Sequence, residues 1–155
     1  MKKWIPSLAV GAALTMSTTI CAAAVPSSAL VAGGIEYGAS ADYVQQVYGT
    51  PTEVETKHHS LWNGDVTEFE YCDSYELKIV DGYVRQIEIS RHNGIKTVAG
   101  IEVGSTLDAV KVAYGEPDKI RGDKYIYYCD EDKSIGLVFE IENNKVDEIE
   151  MGYLD

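Results

Sequence analysis

The chain has 155 residues and sets 13 Lys and Arg against 25 Asp and Glu, a net charge of −12. A field of that sign repels nucleic acid and anionic lipid headgroups, which argues against DNA, RNA and membrane surfaces and leaves a protein with a basic surface as the partner. The same charge also serves plain solubility.

The first segment reads as a leader. Met1-Lys2-Lys3 precedes an uncharged, mostly apolar run through Ile20, and "CAAAVP" sets Ala22 and Ala24 at the A-x-A spacing of a signal peptidase site. Residues 1–24 are therefore expected to be a signal peptide cleaved after Ala24. The product would be secreted, periplasmic or held in the cell envelope, with no transmembrane segment left. Loss of Lys2 and Lys3 takes the net charge from −12 to −14. The alternative is acylation at Cys21, although Ile20 stands where such sites carry Gly, Ala or Ser. Residues 25–33 read as a flexible tail.

Residues 34–51, "GIEYGASADYVQQVYGTP", recur as residues 100–117, "GIEVGSTLDAVKVAYGEP", identical at nine of eighteen positions. Each copy carries the start and stop signals of a short helix. Ser40 and Thr106 stand as N-caps, and Asp42 and Asp108 follow in the first turn, where a carboxylate meets the positive helix end. Val44, Val47 and Tyr48, and in the second copy Val110, Ala113 and Tyr114, form one apolar face. Gly49 and Gly115 end the helices, and Pro51 and Pro117 forbid continuation.

After each proline the period changes to two. "TEVETKHHSLW" reaches Asn63-Gly64, a strong hairpin signal, and "DVTEFEYC" returns; "DKIR" turns at Gly122-Asp123 into "KYIYYC". Two more strands follow in each copy, around Asp81-Gly82 and around Asn143-Asn144. The expected fold class is α+β: two tandem repeats, 34–90 and 100–155, each a short helix packed on a three- to four-stranded antiparallel β-meander. Residues 91–99 are the linker. A repeat of about 55 residues is marginal for a core of its own, so the two should share a core or an interface.

The order Gly-x-(Ser/Thr)-x-x-x-Val-x-x-x-Tyr-Gly-x-Pro, followed by an aromatic strand and a hairpin ending "GYVRQIEI" or "NKVDEIEM", resembles the SmpA/OmlA (BamE-like) domains of bacterial envelopes. The tandem arrangement resembles the β-lactamase inhibitory proteins. The resemblance spans residues 34–152 and implies protein binding, as an inhibitor of an extracytoplasmic enzyme or, alternatively, as a scaffold component of an envelope assembly complex. The chain departs from these families in having two copies, against the first, and one mature cysteine per copy, against the second.

No catalytic set emerges, so the chain is expected to be a non-enzymatic monomer without cofactor or metal. His58, His59, Asp65 and Glu68 share a hairpin, but adjacent strand residues point to opposite faces. Cys72 and Cys129 are an even pair in an exported chain and follow Tyr71 and Tyr128, which predicts one disulfide between the repeats. Placing Phe69, Tyr71, Leu77, Ile79, Ile87 and Ile89 inward in the first copy, and Ile126, Tyr128, Leu137, Phe139, Ile141, Ile149 and Met151 inward in the second, leaves an outer face. That face would carry Glu68, Glu70, Glu76, Glu88, Glu140, Glu142, Glu148 and Glu150, with Tyr125 and Tyr127 as anchors and Lys78 opposing. Trp62, at the tip of the first hairpin, is the remaining candidate contact.

Overall fold

A computed structural model describes residues 24–60, 62–129 and 133–154. The leader, Cys21 and Ala22 lie outside the described residues, and Ala24 is the first residue inside them.

Two eight-residue helices form where the sequence places its caps, α1 (Ala41–Tyr48) and α2 (Leu107–Tyr114). The Ser40 and Thr106 hydroxyls accept from the amides of Tyr43 and Ala109, each at 3.2 Å, satisfying a donor that the first helical turn leaves orphaned. Gly49 and Gly115 close the helices at φ 78°, ψ −153° and φ 80°, ψ −159°, a region that essentially only glycine occupies.

The two meanders are halves of one sheet. After the short β1 (Val31–Ala32) and β2 (Ile35–Glu36) come β3 (Glu53–His59), β4 (Gly64–Tyr71), β5 (Tyr75–Val80) and β6 (Tyr83–Ile89). Then come β7 (Lys119–Arg121), β8 (Lys124–Tyr128), β9 (Ile135–Glu142) and β10 (Lys145–Tyr153). The large sheet has the order β3-β4-β5-β6-β10-β9-β8-β7, and antiparallel pairing of β6 with β10 through Ile89↔Ile149 and Ile87↔Met151 joins the halves. This corrects the expectation of two tandem modules with their own meanders: the chain is one continuous α+β domain on an eight-stranded sheet.

One core explains why the halves do not separate. On the helix-covered face the register aligns Val54, Phe69, Leu77, Ile87, Met151, Leu137 and Tyr127 across seven strands. From Phe69 to Tyr127 that row is buried, and Val44 and Val110 of the helices have no exposed surface. Residues 25–33, read from sequence as a flexible tail, belong to this core. Leu30 and Ala32 are fully buried, Val25 bridges to Cys129, and the Tyr75 hydroxyl donates to the Ala32 carbonyl at 2.9 Å. The linker is equally engaged, because Thr97 bridges to Ala32 and accepts the Tyr114 hydroxyl at 2.8 Å.

The expected disulfide does not form. Cys72 and Cys129 are not bridged to each other, the first exposed in a turn at φ 55° and the second buried. They follow β4 and β8, which are five strand spacings apart, roughly 24 Å, against a limit of about 7 Å between bridged Cα atoms.

Candidate functional site: the open face of the sheet

Both helices lie on one face of the sheet, and the alternate residues of its strands form the other. Along that open face Glu53, Glu70, Glu76, Glu88 and Glu150 are directly paired across β3, β4, β5, β6 and β10. Five carboxylates thus stand in one line over four strand spacings, roughly 19 Å. Like charges directly opposite one another cost stability. The cost is partly offset by Lys57, 2.9 Å from Glu55 and 3.0 Å from Glu68, and by Lys78, 3.7 Å from Glu76 and 3.6 Å from Glu88. Burial, then the neighbouring Glu88, pushes the Glu76 carboxyl above its ordinary range.

Where the halves meet, the row thickens into a cluster. Glu140, Glu148 and Glu150 bring carboxylate oxygens within 4.8 Å of one another, the one such grouping of potential metal ligands among the described residues. Lys124 sits 2.7 Å from Glu150 and 3.5 Å from Glu140, so the cluster is an ion-pair network rather than a bare cation site. Burial first, then repulsion from Glu88 and Glu150, pushes the Glu148 carboxyl up to about 7. Beyond Glu150 the row continues as Val138, Ile126 and Lys119, so its acidic character stops at β10.

Of the residues singled out from sequence, Glu68, Glu70, Glu140, Glu148 and Glu150 lie together on this open face. Tyr125 and Tyr127 do not. They pair with Phe139 and Leu137 on the covered face, Tyr127 is buried, and its hydroxyl donates to the Gly115 carbonyl at 3.1 Å. Burial pushes that hydroxyl up to about 12. Tyr71 makes the same bond to Gly49 at 3.1 Å, so Tyr127, not Tyr128, is the counterpart of Tyr71. The one-residue offset turns β8 over and puts Ile126 and Tyr128 on the open face.

Trp62 is not a free tip. Its ring lies 5.0 Å from His59 and 5.8 Å from Tyr153, although β4 and β10 are three strand spacings apart, roughly 14 Å in a flat sheet. The hairpin tip therefore curls back toward β10. Val66, which shares the face of Glu68 and Glu70, is fully covered there, and the Trp62 Nε1 is buried with no hydrogen-bond partner among the described residues. His58 and His59 diverge: His58 Nδ1 stands 3.2 Å from Asp65, and His59 stacks on Trp62. Sequence reasoning missed Glu53 and Glu55, although the alternation of "TEVETK" carried the signal.

No family model matches the chain, and no curated protein matches it. Among solved structures it is similar to an extracellular protein containing a SCP domain from Bacillus anthracis str. Ames, at 9% identity and a TM-score of 0.55, over 76% of this chain and 44% of that one. The chain thus spans less than half the length of that protein, and the likeness concerns the fold. This finding overturns the resemblance to tandem SmpA/OmlA (BamE-like) domains and to the β-lactamase inhibitory proteins. The residues that carried it, caps, turns and helix-face valines, specify local elements that many folds share.

Proposed function

We propose that this is an exported, non-catalytic protein-binding domain whose open sheet face docks a partner with a basic surface. One observation carries the reading: five glutamates stand in register on the face that the helices leave uncovered, at a cost to stability. Export is supported by the Met1-Lys2-Lys3 leader with its Ala22-x-Ala24 site, and the similar solved structure is that of an extracellular protein. Among the described residues no helix is long and apolar enough to cross a membrane. The non-catalytic reading is supported by the histidines: His58 pairs with Asp65, His59 stacks on Trp62, and His92 bonds the Val103 carbonyl at 2.9 Å. In its finer form the partner is an extracytoplasmic enzyme inhibited by occlusion.

The test is capture from extracellular and envelope fractions, followed by association kinetics of the captured protein with the wild type and with a Glu70→Gln, Glu76→Gln, Glu88→Gln triple variant. The variant should associate about tenfold or more slowly at low salt, with a flatter salt dependence, while its fold survives. Equal rates at all salt concentrations would refute the acidic row as the docking surface.

A further inference from the structure

Past Glu150 the open face changes character. An open cavity of about 590 Å3 is lined there by Ile126, Tyr128, Val138 and Leu154, together with Arg121, Lys124 and Lys133. Its volume lies within the roughly 300–1,000 Å3 of small-molecule sites. Its apolar lining is built in, because Ile126 and Val138 are cross-strand partners on the open face and both are buried.

The rim is cationic against the sign of the whole chain. Three of 13 Lys and Arg converge on one cavity in a protein of net charge −12. The two acids among the described residues of the lining, Asp123 and Glu150, do not cancel them. Glu150 is taken up by Lys124 at 2.7 Å. The Lys133 ammonium lies 6.0 Å from the centre of the Tyr128 ring, and Arg121, exposed on edge strand β7, has no ion pair among the described residues. Among the described residues of the lining, Asp123 alone then faces two cations. A cationic ligand would be repelled, and a wholly polar anion would leave the apolar lining unused.

We propose that this cavity binds a small amphipathic anion, a compact apolar body carrying one carboxylate, sulfate or sulfonate. The body lies on Ile126, Tyr128, Val138 and Leu154, and the charge lies toward Arg121 and Lys133. The proposal is independent of the acidic row and stands or falls by itself.

Fluorescence titration of the folded protein with anilinonaphthalene sulfonate, followed by displacement with decanoate or decanol, tests it. The dye should bind saturably, and decanoate should displace it about tenfold more effectively than decanol, since a charge-assisted contact contributes on that scale. An Arg121→Gln, Lys133→Gln double variant, both positions being exposed, should keep its melting temperature and its affinity for decanol while losing about tenfold in affinity for decanoate. Decanol equal to decanoate, or a double variant that binds decanoate like the wild type, would overturn the proposal. Stronger displacement by a short peptide with a free apolar C-terminus would overturn it too, by assigning the cavity to a protein terminus.

Discussion

The halves of the molecule share a covered face and differ on the open one. Under α1, Tyr71 bonds the carbonyl of the helix-closing Gly49; under α2, Tyr127 bonds that of Gly115, at the same 3.1 Å. Tyr48 packs 5.3 Å from the rings of Tyr71 and Tyr75, and Tyr114 packs 5.8 Å from Tyr127 and 5.3 Å from Phe139. Counting back from the equivalent tyrosines, Glu70 corresponds to Ile126 and Glu68 to Lys124. Packing tolerates little change in volume, so the tyrosine bonds and helix caps are alike in both halves. The open face answers to solvent and to whatever binds there. One backbone arrangement therefore carries an acidic row at one end and a cation-rimmed cavity at the other.

The largest effect should come from the core row that crosses the seam. Leu77→Ala in the first half and Leu137→Ala in the second should each destabilise by about 2–5 kcal/mol, both side chains being fully buried. Either variant should still melt in one calorimetric transition, since β6 and β10 tie the halves into one core. Two transitions, with only the mutated half moving, would break the single-domain description and make the halves independent.

A smaller effect tests the equivalence of the helix ends. Gly49→Ala and Gly115→Ala should each cost about 1–3 kcal/mol, because the backbone there is strained for any residue with a side chain. A Cβ on Gly49 would meet nothing within 4 Å, so the penalty belongs to the backbone alone. Chemical denaturation should return similar values for the two variants, and a large difference would show that the ends are alike only in geometry.

The smallest effect is a trend with pH at the seam, where Glu148 faces Glu140 and Glu150, Glu88 of the other half, and Lys124. The folded carboxyl titrates at about 7 against an ordinary value of 4.5, so the folded state holds the proton more tightly. Stability from this group is complete below the unfolded value and is lost as pH rises through about 7. Glu148→Gln should therefore raise the melting temperature relative to wild type at pH above about 7 and lose that advantage at acid pH. A difference that stayed constant across the range would remove Glu148 as the titrating group.

What the sequence determined by itself was local. Ser40, Thr106, Gly49 and Gly115 mark the helix ends through contacts within three or four residues. The turns at Asn63, Asp81 and Asn143 announce themselves because their backbones take positive φ, 47°, 52° and 49°. Alternation placed Glu68, Glu70, Glu140, Glu148 and Glu150 on one face, because in those strands one phase carries most of the apolar residues and the other the glutamates. In β8, "KYIYY" puts a large apolar or aromatic side chain on each face in either phase, so alternation had no preference, and packing of Tyr127 against Gly115 and Phe139 decided it. Only the tertiary structure joined β6 to β10, drew residues 25–33 into the core and set Cys72 and Cys129 at the ends of strands too far apart to bridge. Each of these is a contact between segments distant in the chain, whose free energy comes from burying a shared surface that no local window of sequence contains.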